Sequence, residues 1–384
     1  MSLDGGIRRV IMQKSINRFA RHWVAFLLLT AVSICGCTAI KKRFSDSLTH
    51  WAMLDQQALA EPIKAVGGDG IVFMPSQDMK PLGRSQLSHA SPESLVSYYS
   101  PIFIQQRVDT RTLDYPYPQE YDTIGEAHLR KNKDGKLESY VAGAPKVYAI
   151  FKKLPISGHN HVQLTYTAWY PAHPRMKAID LERADIDSCV VRVTLDAQNA
   201  PVLYETIAAC GCFHKVFVQR RIEDAARQAY GPPEAGKKYS VEVNVKDSID
   251  WEVAGLVDEP HDQPSRPVVF VKAGDHKVIG MGSASLLHIP ASAEKHPYHL
   301  TSYEDLYEVK VDGGAEKSPF FDLENGGKVR GGERKHEKFF MSFIGVDAAG
   351  QPRADDQIKM HFDESTWGDA SIYSKYLRLP LGAL

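Results

Sequence analysis

Hydrophobic and polar residues alternate with a period of two in several stretches of this chain, and that period belongs to strands with one apolar face. Val162, Leu164, Tyr166 and Ala168 alternate with Gln163, Thr165, Thr167 and Trp169. Val191, Val193 and Leu195 alternate with Arg192 and Thr194, and Val241, Val243 and Val245 with Glu242 and Asn244. Residues 267–271, 276–281, 285–289 and 338–344 read as further strands. Asp196-Ala197-Gln198-Asn199-Ala200-Pro201 has the composition of a turn. A hairpin folded about Gln198–Asn199 pairs residue n with a residue near 397 − n.

Helical signals are fewer. Ser91-Pro92-Glu93 supplies an N-cap, a proline at the first helical position and an acid in the first turn, and Pro101 ends that helix near Ser100. Arg221–Tyr230 is a second helix, closed by Gly231-Pro232-Pro233. Thr301-Ser302-Tyr303-Glu304 fits a capping box that opens one short helix. The expected fold is therefore mainly β (α+β), an antiparallel sheet system with a few peripheral helices. Segments 231–238, 258–267 and 312–332 read as loops. The last holds three Gly-Gly pairs and is long enough to be a lid, a partner-binding arm or a surface excursion.

The N-terminus follows a different pattern. Lys14, Arg18 and Arg21 precede an apolar run from Trp23 to Ile34, which is too short for the roughly 20 residues of a bilayer-spanning helix. The length suits the hydrophobic region of an export signal, and Met12 fits as its start as well as Met1 does. Ile34-Cys35-Gly36-Cys37 resembles a bacterial lipobox, with Cys35 in place of the usual Ala or Ser. That resemblance implies lipidation of Cys37 and a stable membrane anchor, because several acyl chains hold where one does not. Thr38 stands where an Asp favours inner-membrane retention, so the resemblance implies an outer-membrane lipoprotein facing the periplasm. A plain secretory peptide and an uncleaved anchor are the competing readings. The resulting organisation is a signal peptide over 1–36, a lipidated N-terminus and tether over 37–62, and a single β-rich domain over 63–384. Lys41-Lys42-Arg43 in the tether is a solvated linker or a contact with anionic headgroups.

Composition changes the picture only by exclusion. Of the 384 residues, 43% are hydrophobic and 24% charged, the mix of a globular chain. Residues 1–36 carry five of the 46 Lys and Arg and one of the 47 Asp and Glu, leaving the rest with 41 positive and 46 negative side chains, net −5. A mildly acidic body has no electrostatic footprint for nucleic acid. There is no Gly-x-Ser-x-Gly elbow, His-Glu-x-x-His helix, phosphate-binding loop or haem-attachment motif. Gly67-Gly68-Asp69-Gly70 reads as a turn, and Asp185/Asp187 as one of many surface acid pairs.

Cys189, Cys210, Cys212 and His214 carry the candidate chemistry. The hairpin brings Cys189 opposite residue 208, and an extended strand through 210–214 puts Cys210, Cys212 and His214 on one face. Three readings stay open: a structural disulfide from Cys189 to Cys210 or Cys212, a Cys₃His site for Zn or Cu, and a small redox-active Cys210-Gly211-Cys212 disulfide. His159 and His161, at the start of the strand through Ala168, and His173 just beyond it form a secondary metal candidate. Trp169-Tyr170-Pro171, Val191–Asp196 and Cys210-Gly211-Cys212-Phe213-His214 are similar to uncharacterised proteobacterial envelope proteins, a resemblance over about 150–340 that implies no functional residue. Two classes of function follow. One is a non-catalytic lipoprotein that binds a protein partner, an envelope polymer or a metal. The other is a periplasmic metal-dependent or redox enzyme built on the Cys/His cluster.

Overall fold

In the computed structural model, the described residues are 70–382, apart from 78–79, 157, 246–250, 261, 290–292, 344–345, 361–364 and 381. The export signal, Cys37, the tether and Gly67-Gly68-Asp69 lie outside them.

In chain order the strands longer than two residues are β1 (Ile71–Pro75), β2 (Ile102–Gln105), β3 (Glu126–Lys131), β4 (Leu137–Ala142), β5 (Lys146–Ile156), β6 (His159–Tyr170), β7 (Asp187–Leu195), β8 (Pro201–Ile207), β9 (Lys215–Gln219), β10 (Val253–Val257), β11 (Pro267–Val271), β12 (Val278–Ser283) and β13 (Lys295–Ser302). The helices are α1 (Arg84–Leu87), α2 (Pro92–Tyr98), α3 (Arg220–Tyr230), α4 (Lys335–Phe343) and α5 (Ser371–Tyr376). β3 and β4 form a separate ribbon, and the other eleven strands form one sheet in the order β10-β9-β8-β7-β6-β5-β13-β1-β2-β11-β12.

The hairpin at the centre of this sheet has the register read from its turn. Val190 pairs with Ile207, Arg192 with Glu205 and Thr194 with Leu203. Asp196 fixes the turn, because its Oδ1 accepts the backbone N–H of Gln198 at 2.9 Å and of Ala200 at 2.8 Å. Asn199 takes the left-handed conformation at φ 58°.

The sheet is mixed, which corrects the antiparallel expectation. β13 runs parallel to both β5 and β1, β11 parallel to β2, and β10 parallel to β9. Alternation says which face of a strand is buried, not which strand lies beside it. The sheet coils until its edge strands, β10 and β12, have Cα atoms within 8 Å of each other. Each of its eleven strands adds at least one side chain to a single interior cluster, from Phe73 in β1 to Tyr298 in β13. Burying a Val, Leu or Phe there stabilises the fold by about 1.5–3 kcal/mol. A second cluster covers the opposite face of the β5–β10 half, where Trp169, Val190, Leu203 and Val216 meet Trp251, Phe321, Trp367 and Tyr373.

The helix start at Ser91 is as expected. Ser91 Oγ accepts the N–H of Ser94 at 3.2 Å, with Pro92 at the first helical position. Three expected strands are not strands. Residues 241–245 hold only an isolated bridge at Glu242, because that carboxylate takes the N–H groups of Lys238, Tyr239 and Val253. Residues 285–289 leave the sheet where Ser265, Ser283 and Ser285 clasp one another through their hydroxyls and the N–H of Ser285. Residues 338–344 fall largely within α4, whose Lys-His-Glu-Lys start favours helix. The expected loop 312–332 is not a free excursion either, since Phe320 and Phe321 are fully buried.

Candidate functional site

β8 ends at Ile207 and β9 begins at Lys215, so residues 208–214 are not the extended strand expected of them. They form a tight connection with Gly211 at φ 89° and Phe213 at φ 57°. Two backbone bonds close it, Ala208 N–H to Cys212 O at 3.0 Å and Gly211 N–H to Ala208 O at 2.8 Å. Two more clamp it from outside, Ala209 N–H to Ser188 Oγ at 2.8 Å and Arg353 N–H to Ala209 O at 2.9 Å. Within it Cys210 and Cys212 are joined in a disulfide, with Cα atoms 5.7 Å apart. Cys189 is left as a buried free thiol. It packs into the sheet interior with Val191 and Tyr170, whereas the disulfide sits with Ala208 and Phe213 in a small cluster of its own. Burial and the nearby Asp187 push the Cys189 thiol up to about 12, so it stays protonated and inert at neutral pH.

His214 is buried at the end of the connection. Its Nε2 donates to Glu205 Oε1 at 3.1 Å, and its ring stands edge-on to Trp251. Glu205 also accepts Arg192 Nη2 at 2.6 Å and Nε at 2.8 Å, and the Tyr373 hydroxyl at 2.6 Å. Burial alone would raise the Glu205 carboxyl, but Arg192 and then His214 outweigh it and hold it down at about 2. The other histidines also separate. His159 is exposed, while His161 is buried with Nδ1 bonded to Leu195 O at 2.8 Å. The polar face it shares with Gln163 is covered, not solvated, and Gln163 bonds Thr194 and Tyr373. Among the described residues, no three His, Cys, Asp or Glu side chains are arranged to hold a metal ion.

His173 belongs to a second buried network, centred on Asp187 at the first residue of β7. Asp187 Oδ2 accepts Nδ1 of His173 at 3.1 Å and Nδ1 of His276 at 3.0 Å. Its Oδ1 accepts Arg334 Nη2 at 2.7 Å and the N–H of Ser188 at 2.9 Å. Burial opposes the charge, yet Arg334 and the two imidazoles hold the Asp187 carboxyl well below its ordinary range. His276 reaches the site from the β11–β12 turn with its backbone at φ 49°. Stacking on Tyr170 at 3.8 Å and an ion pair with Asp122 Oδ1 at 3.5 Å help to hold that unfavourable conformation. Burial pulls its pKa down, but the bonds to Asp122 and Asp187 prevail and hold the ring at about 9.

No protein-family model, curated protein or solved structure matches this chain. The site therefore rests on its own geometry. Arg334 Nη1 donates to Cys212 Sγ at 3.3 Å and lies 3.5 Å from Glu337 Oε2, so one guanidinium joins the Asp187 network to the disulfide. At the edge of the network, Tyr117 donates to Asp122 at 3.0 Å and lines a surface pocket of about 660 Å³ with Arg107, Asp109, Arg111 and Gln119. Sequence reasoning missed Asp187, His276, Asp122 and Arg334. Asp187 reads as a surface acid, but it is only 2% exposed. A carboxylate opening a strand of nine buried residues was the available signal.

Proposed function

We propose that this chain is a lipid-anchored cell-envelope protein, tethered through Cys37 to the outer membrane and facing the periplasm. Its β-rich body binds an envelope protein or polymer, and the Asp187 network within it is structural rather than catalytic. The observation that carries the non-catalytic reading is the packing of Asp187. Both of its oxygens are occupied, and its partners His173, His276 and Arg334 are at most 3% exposed. A network closed in this way fixes side chains in place and leaves no group facing a substrate. The pocket beside it supplies a contact surface, with Arg107 and Arg111 paired to Glu294 and Asp109. The Cys210–Cys212 disulfide supports an oxidising compartment, and the lipobox supports the anchor.

Two measurements test the reading. Labelled fatty acid should enter the wild-type chain and not Cys37→Ser, which should accumulate as unprocessed precursor. Normal labelling of that variant would remove the anchor. Reversing both pocket charges, Arg107→Glu with Arg111→Glu, should reduce co-sedimentation with isolated envelope material by tenfold or more, about 1.4 kcal/mol. Unchanged retention would remove the pocket as the contact surface.

A further inference from the structure

We propose that Cys210 and Cys212 form a thiol–disulfide exchange site, in which Arg334 stabilises the Cys212 thiolate and the reacting partner is a dithiol, free or on a protein. Four independent features support it. The disulfide closes a loop with one intervening residue, and loop-closure stabilisation is smallest for the shortest loops, so it does little as a staple. The connection is held by backbone bonds at Ala208 and Gly211 and clamped at Ala209, none of which involves sulfur. Both cysteines therefore stay opposed after reduction and are ready to reoxidise. Arg334 is fully buried and aims Nη1 at Cys212 Sγ, while Asp187 occupies Nη2 and fixes the plane of the guanidinium. Cys189 is a thiol held protonated in the interior, so exchange stays within the pair.

The sulfur whose thiolate is stabilised is the better leaving group, which sets the direction of attack. A partner thiolate attacks Cys210 Sγ, the Cys210–Cys212 bond breaks, and its electron pair leaves on Cys212 Sγ beside Arg334. The partner's second thiol, after losing its proton, attacks the mixed disulfide and releases the Cys210 thiolate. Two electrons pass from the dithiol to the pair, one of its protons goes to the Cys210 thiolate and the other to solvent while Cys212 stays a thiolate, and the partner leaves as a disulfide. Phe213, partly exposed, packs against the cluster of Ala208, Cys210 and Cys212 with Lys277 Nζ 4.0 Å from its ring, and it is the cover that must swing aside. Its positive φ shows that the backbone has been bent to put it there.

The test uses the purified chain carrying Cys35→Ser and Cys37→Ser, so that no N-terminal thiol titrates. In native buffer, dithiothreitol should reduce Cys210–Cys212 reversibly with unchanged far-ultraviolet circular dichroism, and Phe213→Ala should speed this at least tenfold. In Cys210→Ser, the ultraviolet absorbance of the Cys212 thiolate should titrate at least one unit below the ordinary value of about 8.5. Cys189 is silent in that range. Adding Arg334→Met should move the titration back towards the ordinary value. Should that variant not fold, Glu337→Gln removes the carboxylate that competes for the same nitrogen and should lower the titration further. Reduction only after unfolding, or a Cys212 titration at the ordinary value in Cys210→Ser, would overturn the proposal.

Discussion

His276 shows how much one residue can be made to do. A β-turn residue with positive φ costs on the order of 1–2 kcal/mol for anything but glycine. The compensation lies in what the ring gains, which is Tyr170 stacked on one face, Asp187 on Nδ1 and Asp122 facing Nε2. Its folded pKa of about 9 lies above the ordinary 6.5, so the stabilisation is complete below pH 6.5 and is lost as pH rises through 9. Urea unfolding should therefore show stability falling by roughly 3 kcal/mol between those limits, and His276→Gln should flatten that slope. A wild-type profile that is level from pH 6.5 to 9 would contradict this account. Sequence reading did not find this residue. The sequence reading made His276 the first residue of a strand over 276–281, whereas β12 starts at Val278 and His276 lies in the turn before it, where only the packing brings its ring against Tyr170.

At the scale of elements, what could be read was local and what could not be read was distant. The hairpin register followed from one turn, because Asp196 and Asn199 have few other uses in that spacing. The same Asp196 also accepts Arg84 at 2.9 Å and Arg221 at 2.7 Å through Oδ2, tying α1 and α3 to the turn. Asp196→Ala should thus cost roughly 3 kcal/mol by leaving turn N–H groups and two guanidinium groups without their acceptor. Chemical denaturation would check it, and a loss below 1 kcal/mol would show that the turn holds without its carboxylate. The chemistry-bearing segment 208–214 was misread for a physical reason. Cys, Phe and His suit a strand by composition, but Gly211 permits the reversal that ends one. The hairpin was right up to Ile207, but the extended strand expected to carry Cys210, Cys212 and His214 does not form.

At the scale of the molecule, alternation identified a mainly β chain with few helices but not the mixed topology. Residues 295–302 show little alternation, and β13 is exposed along much of its length. Nothing in that segment announces that it bridges the sheet. The candidate site is likewise an assembly of distant parts: Asp122, His173, Asp187, His276 and Arg334 come from five separate segments. The proposed anchor belongs to this scale too. Cell fractionation should recover the protein with the outer membrane, and recovery with the inner membrane would refute the sorting drawn from Thr38 while leaving lipidation intact.

The position of β13 has a consequence for how the chain is made. The strands divide into two blocks, β5 to β10 in near-sequential order and β1, β2, β11 and β12 together, and β13 is the strand paired to both. A ribosome delivers Ile71–Pro75 early, yet one of its two neighbours is Lys295–Ser302. At roughly 5–20 residues per second, the first strand waits on the order of tens of seconds for that partner. During that interval its apolar residues and one bare edge are open to any other strand. The order of synthesis thus runs against the order of pairing.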